Sequence, residues 1–144
     1  MKTNDHIKVS FPSLSANEGF ARSCVACFAA RLDPTLDELS DIKTAVSEAV
    51  TNCIVHAYPG EIGMIHMRCR ILDGKTIEIS LRDTGVGIAD ISKAREPLFT
   101  TGDPGERAGM GFSIMESFMD KIKVRSKPDK GTTVVMSKTL TGRS

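Results

Sequence analysis

The sequence predicts an α+β fold, a two-layer α/β sandwich with helices on one face of a mostly antiparallel mixed sheet. Three observations carry that expectation. Two helical patterns occupy the stretch between a short N-terminal strand and Ala57. Two strongly alternating strands, Ile65 to Ile71 and Ile77 to Leu81, come next. A third helical pattern and two further strands complete the chain. Because two helices precede the central strands, the order is not that of a doubly wound α/β sheet.

Each element has its own warrant. Ile7 to Phe11 alternate apolar and polar, as a short edge strand does. Ser15-x-x-Glu18 has the form of a capping box opening the first helix, with Phe20, Cys24, Cys27 and Phe28 as its core stripe. Glu18 and Arg22 share another face of that helix at i, i+4 spacing. Asp33-Pro34 stops this helix and starts the next, with Asp33 as cap and Pro34 in the first position. The second helix runs to about Ala57, where Tyr58-Pro59-Gly60 ends it.

In the strand pair that follows, directly opposed residues must share a face. A two-residue Asp73-Gly74 loop would oppose Arg70 to Ile77. A three-residue loop, Asp73-Gly74-Lys75, opposes Ile71 to Ile77 and is preferred. Continuing Ile77, Ile79, Leu81 by two places puts Asp83 on the core side at the strand end. Residues 92 to 108 carry little periodicity and several Pro and Gly, which marks a functional lid or a link. Gly109-Met110-Gly111 opens the last helix, through Phe112, Ile114, Met115 and Phe118. Strands from Lys121 to Arg125 and Thr132 to Ser137 flank a turn at Lys127–Gly131. If Val134 and Met136 face inward, so does Thr132, toward Asp83.

The totals bound the function. A chain of 144 residues is expected to be one domain, able to bury roughly two-thirds of its unfolded surface. A net charge of +1 argues against a generic nucleic-acid binder. No apolar run reaches membrane-spanning length and no signal-peptide core opens the chain, so a cytoplasmic location away from membranes is expected. Of the four cysteines, Cys24-x-x-Cys27 has no second pair to complete a zinc site. Buried core thiols are expected instead.

The second helix holds the first chemical clue. Ile42, Val46, Ala49, Val50, Cys53 and Ile54 form an apolar stripe. Glu48, Asn52 and His56, four apart, stack in one line on its shoulder. Buried polar groups must find partners, although the helix alone is equally compatible with solvated residues beside a core stripe. Neither Gly85-x-Gly87 nor Gly109-x-Gly111 continues as GxGxxG, and no P-loop is present. Each glycine pair alone is a weak signal.

The set is stronger than its parts. In order it reads Glu48-x3-Asn52, Asp83-x-Gly85-x-Gly87, a Thr-bearing segment, Gly109-x-Gly111 and Gly131-Thr132. This resembles the N, G1 and G2 boxes of the GHKL (Bergerat) ATP-binding superfamily, which includes type II topoisomerases and sensor histidine kinases. Ser47-Glu48-Ala49-Val50-Thr51-Asn52 with His56-Ala57-Tyr58, Arg95-Glu96-Pro97-Leu98-Phe99-Thr100-Thr101 and Gly109-Met110-Gly111-Phe112 resemble the anti-sigma factor serine kinases. Leu32-Asp33-Pro34-Thr35 and the stretch from Phe112 to Asp120 resemble the sporulation members of that family from endospore-forming bacteria. The likeness spans about residues 7 to 138, with 93–108 as an ATP lid.

The resemblance implies roles for these positions. Asp83 would accept a hydrogen bond from the adenine amine, and Thr132 would reach the same base. Gly85 and Gly87 would let the backbone approach it. Gly109 and Gly111, with Thr100 and Thr101 of the lid, would serve the phosphates of ATP or ADP, at a helix start that favours anions. Asn52 would hold Mg²⁺, which needs few protein ligands. Glu48 would be the general base for a target serine hydroxyl. Arg107 would contact the γ-phosphate as the lid closes, against the alternative of a solvated lid arginine. His56 is expected to pack and hydrogen-bond at the helix end.

Glu18 and Arg22 are either a capping residue with a surface ion pair or, as the resemblance implies, a docking face for two partners. Those partners would be a sigma factor of the sporulation sigma-F type and an anti-anti-sigma factor, the phosphorylation substrate. The expected enzyme is an ATP-dependent protein-serine kinase acting as a homodimer. Its rivals are a stress-response kinase of the anti-sigma-B type and a nucleotide-dependent binding module without catalysis.

Overall fold

The computed structural model describes residues 2–88 and 108–142. Its strands are β1 (Thr3–Pro12), β2 (Met64–Leu72), β3 (Thr76–Asp83), β4 (Lys121–Lys127) and β5 (Gly131–Thr139). They form one sheet in the order β1-β2-β3-β5-β4. Every pairing is antiparallel, so the sheet has no parallel component among the described residues, where a mixed one was expected. The helices are α1 (Ala16–Ala29), α2 (Leu36–Asn52) and α3 (Ala108–Phe118), and α2 packs against both others.

Alternation builds the core. Ile77, Ile79 and Leu81 of β3 and Met136 of β5 are buried in the same cluster as Ile42, Val46 and Val50 of α2. Each such side chain contributes roughly 1.5–3 kcal/mol by leaving water. The β2–β3 register opposes Ile71 to Ile77 and Leu72 to Thr76, which leaves the three-residue loop Asp73-Gly74-Lys75. β1 is longer than its apolar pattern, because its exposed N-terminal half still pairs with β2.

Three local expectations are corrected. Ser15 has helical angles (φ −58, ψ −30) and caps nothing with its side chain. A capping side chain needs an extended backbone to reach the free N–H groups, so the Ser15–Glu18 box does not form. Nor does Asp33 cap α2. It sits in the left-handed region (φ 48, ψ 56) at the end of a 3₁₀ turn over Ala30–Leu32, consistent with Pro34 disfavouring the α region before it. The cap of α2 is Thr35, whose hydroxyl accepts from the Glu38 N–H at 3.1 Å while its own N–H donates to Glu38 at 2.9 Å.

The third correction concerns α1, which buries Ala21, Val25, Phe28 and Ala29. Phe20 is 53% exposed, Cys27 is exposed and Cys24 half-buried. The buried face is thus turned about one residue round the wheel from the expected stripe, with Ala21, Val25 and Ala29 in place of Phe20, Cys24 and Cys27. On α2, Ile42, Val46, Ala49 and Val50 are buried as the spacing predicts, with Ala45 added.

Candidate functional site

The site begins with the strand parity that puts Asp83 inside. Asp83 ends β3, is only 4% exposed, and lies directly across from Thr132 of β5. Its Oδ1 accepts the backbone N–H groups of Gly85 at 3.0 Å and Thr132 at 3.2 Å. Among the described residues its Oδ2 receives only a weak donor, the Cys53 thiol at 3.6 Å. Burial pushes the Asp83 carboxyl above its ordinary range, and the N–H of Gly85, the Cys53 thiol and the N–H of Thr132 offset this only in part. A buried carboxylate with a weakly engaged oxygen is an acceptor waiting for a polar donor.

The end of α2 supplies the facing wall. After Asn52 the helix widens into one π turn over Cys53–Ala57, a form frequent at functional sites. The turn brings Cys53, the residue after Asn52, to Asp83. The Asn52 side-chain nitrogen is buried with no hydrogen-bond partner among the described residues. An amide can be turned end for end, so this group can present either its oxygen or its nitrogen to a ligand. Glu48, one turn earlier, is half-buried, and His56 lies half-buried in the π turn at the helix end.

The glycine turn after Asp83 is stitched to both sides of this space. Val86 N–H donates to the Ala57 carbonyl at 3.0 Å, and Ile88 N–H to the Ser126 hydroxyl at 2.7 Å. A side chain on Gly85 would fall onto the Ala57 carbonyl. One on Gly87, at φ +76, would fall onto the Lys127 carbonyl. Both glycines are therefore required by the protein's own backbone contacts, whatever else approaches them. Ser126 also bonds the Thr132 hydroxyl at 2.8 Å. Tyr58 clamps the loop's start: its hydroxyl accepts the Thr84 N–H at 2.8 Å and donates to the Met64 carbonyl at 2.7 Å.

A second feature lies between α1 and α2. Arg22 pairs with Glu18 at 3.1 Å, and its guanidinium reaches the Ser47 hydroxyl at 3.4 Å. Arg22, Leu36, Leu39, Lys43, Ser47 and Glu48 line an open cleft of about 470 Å³. Arg22 of the expected docking pair and the expected base Glu48 thus line one groove. Gly109 and Gly111 lie in the first turn of α3, where helix N–H groups lack intrahelical partners. Thr100, Thr101, Arg107 and the lid up to residue 107 lie outside the described residues.

Sequence reasoning missed Cys53, Tyr58 and Ser126 as site-building groups. Cys53 read as one more core apolar residue, and only the π turn and the sheet end together reveal its partner. All four cysteines are free. Burial pushes the Cys69 thiol up to about 12 and Cys53 well above its usual value, as suits unreactive packed thiols. Among the described residues no group of three or more His, Cys, Asp or Glu is placed to hold a metal.

Known proteins carry the same pattern. Residues 11–138 match the family of histidine kinase-like ATPase domains. The chain is 57% identical over 138 residues to an anti-sigma F factor of Caldanaerobacter subterraneus subsp. tengcongensis, covering 96% of each. It is 54% identical over 143 residues to an anti-sigma F factor of Pasteuria penetrans, covering 97% of this chain and 93% of that one. Among solved structures, the RsbU and RsbW domains of a Mycobacterium tuberculosis protein superpose with a TM-score of 0.68 at 15% identity, covering 95% of this chain and 32% of that one. A mycobacterial sensor histidine kinase gives 0.59 at 16% identity, covering 96% of this chain and all of that one (100%). At such identities the structural likeness speaks for the fold alone.

Proposed function

Because the chain belongs to the histidine kinase-like ATPase family, and within it to the anti-sigma F factors, we propose that it binds a sporulation sigma factor of the sigma-F type. It phosphorylates a serine of the anti-anti-sigma factor with ATP, and so disables that antagonist. The observation that supports this best is the meeting of Asp83 with Cys53, the residue after Asn52. A purine held at Asp83 would lie in the same cavity as the end of α2, with its phosphates running toward Asn52 and the start of α3.

Each residue then has a task. The Asp83 carboxylate accepts from the adenine amine, and Thr132 borders the base. The glycine turn shapes the floor, with Gly85 and Gly87 holding it against Ala57 and Lys127. The N–H groups at Gly109 and Gly111 receive phosphate oxygens. The lid, residues 93–108, with Thr100, Thr101 and Arg107, closes over the triphosphate. Asn52 fits a hard cation as one oxygen donor, with phosphate and water oxygens for the rest. Mg²⁺ held there would neutralise phosphate charge.

Glu48 takes the proton of the acceptor serine, since a hydroxyl attacks poorly without a base. The cleft from Arg22 to Glu48 receives the acceptor protein, and Glu18 and Arg22 form part of the face shared with the sigma factor. The working unit is a cytoplasmic homodimer, and exchange of ATP for ADP biases which partner is held.

The test is transfer of labelled phosphate from ATP, with magnesium, to a purified anti-anti-sigma protein. A product stable in acid and mapped to a serine supports the assignment. An acid-labile histidine phosphate, or no transfer by a chain that binds ADP, overturns it in favour of a histidine kinase or a catalytically silent binder.

A further inference from the structure

β4 is an edge strand with a cationic face. Lys121, Lys123, Arg125 and Lys127 alternate along it, all exposed. Arg125 opposes Thr133, and Thr133 opposes Arg82 of β3, so Arg82 joins the same face. Lys130 of the β4–β5 turn lies close by. Arg82, Arg125, Lys127 and Lys130 border an open cleft of about 440 Å³ that also takes in Asp83 and Thr132 at the sheet end. These six residues are drawn from only 19 Lys and Arg in a chain of net charge +1, so the charge is concentrated rather than spread. None of the six forms an ion pair among the described residues. Asp5, Glu18, Asp41 and Glu78 pair with Arg31, Arg22, Lys138 and the two arginines Arg68 and Arg70 instead.

Two further features belong to this edge. β4 pairs only with β5 among the described residues, so alternate N–H and C=O groups face outward without a strand partner. On its inner face Ile122 and Val124 pack on the core but stay half-buried. The apolar layer stops one strand short of covering them.

We propose that the β4 edge is a docking site for an extended segment of a partner protein, added to the sheet as a sixth strand, whose sequence alternates acidic and apolar residues. Backbone pairing would supply affinity and the alternating side chains specificity. Same-face residues on a strand recur about every 6.7 Å, so carboxylates at every second position meet Lys121, Lys123, Arg125 and Lys127. The intervening apolar residues cover Ile122 and Val124.

A second copy of β4 is disfavoured, because like charges would stand opposite one another. Nucleic acid fits less well. The face carries no aromatic side chain for base stacking. Lysines that merely block self-pairing of an edge would account for β4 but not for Arg82 and Lys130, which lie off it. The inference does not depend on the nucleotide reading.

The probe is a short peptide alternating glutamate and valine, titrated into the full chain and followed by amide chemical shifts and hydrogen exchange. Shifts and added protection confined to β4 are expected. The double substitution Lys123→Glu with Arg125→Glu should weaken binding at least about tenfold. Lys123→Gln with Arg125→Gln, which carries no charge reversal, should weaken it by a smaller factor and serves if the first variant does not fold. Three control probes complete the experiment: the same peptide interrupted by a central proline, a peptide alternating lysine and valine, and single-stranded oligothymidylate. Equal binding of the proline peptide or the oligonucleotide, binding by the lysine peptide, unchanged affinity of both double variants, or no perturbation of β4 overturns the proposal.

Discussion

The thiol of Cys53 lies 3.6 Å from Oδ2 of Asp83, and both side chains are buried. This contact ties the end of α2 to the end of β3. It leaves the carboxylate with two firm N–H bonds on one oxygen and a weak donor on the other. Because burial raises the Asp83 carboxyl above its ordinary range, there is a pH window above that range in which the native state keeps a proton that the unfolded chain has released. Stability therefore falls as pH rises from the ordinary carboxylate range through the raised value, and stays lower above it. Asp83→Asn keeps the oxygen that receives Gly85 and Thr132 but removes the charge. Its melting temperature at neutral pH should equal or exceed that of the wild type, with a smaller loss across that window. ADP affinity by calorimetry should fall at least about a hundredfold. A lower melting temperature at neutral pH would make the charge structural, and unchanged ADP affinity would remove Asp83 from the base site.

Glu48→Gln separates binding from chemistry. The substitution is nearly isosteric and sits on the cleft side of α2. ADP affinity should stay within about twofold, while phosphate transfer to the acceptor protein falls at least about a hundredfold. Transfer at the wild-type rate would show that another group takes the serine proton.

Arg22→Glu tests the groove at its other end. The Glu18–Arg22 pair is partly exposed, so its loss should cost under about 1 kcal/mol of stability. Binding of the sigma factor or of the acceptor protein should weaken at least about tenfold, with ADP affinity unchanged. Calorimetry with each partner decides the matter. Two wild-type affinities would move the docking face elsewhere.

What the sequence revealed of this site, and what it hid, divides along physical lines. Period-two alternation fixed the side on which Asp83 emerges, and opposed residues sharing a face fixed the Asp73–Lys75 loop. Helical spacing placed Ile42, Val46 and Val50 inward. All of these are local rules. The α1 face was misread because apolar character cannot say which side meets α2. Ala21 and Ala29 are inside and Phe20 is outside. The cap was misread because Asp33-Pro34 and Thr35-x-x-Glu38 are overlapping signals, and only backbone angles choose between them. Cys53, Tyr58 and Ser126 depend on contacts between elements far apart in the chain, which no window of sequence contains.

The glycine turn offers a graded test of packing. Gly60 and Gly87 both have positive φ, but an added side chain at Gly60 meets nothing within 4 Å, whereas at Gly87 it strikes the Lys127 carbonyl. Gly60→Ala should therefore cost about 1–2 kcal/mol, the strain of the left-handed conformation alone. Gly87→Ala should cost at least about 2 kcal/mol more, because backbone must also move. Equilibrium denaturation of the two variants measures the difference. Equal losses would show that the turn yields without disturbing Lys127.

Glu38 links the start of α2 to the C-terminal segment, and its titration should show in the acid stability of the whole chain. Its carboxylate accepts the N–H groups of Thr35, Thr141 and Gly142 and the Thr141 hydroxyl. Desolvation pushes the carboxyl up, but these donors outweigh it and hold it at about 2. A depressed native value means that the stabilisation is complete above the unfolded value near 4.5 and is lost as pH falls toward about 2. Solvent reaches much of this group, which tempers the size of the effect. Glu38→Gln should lower stability at neutral pH by about 0.5–2 kcal/mol, as loss of a cap does. The variant's stability should change less than the wild type's between pH 5 and pH 2, because it has no carboxylate left to protonate there. Parallel acid titration curves for the two proteins would mean that the clamp between α2 and Thr141 does not form in solution.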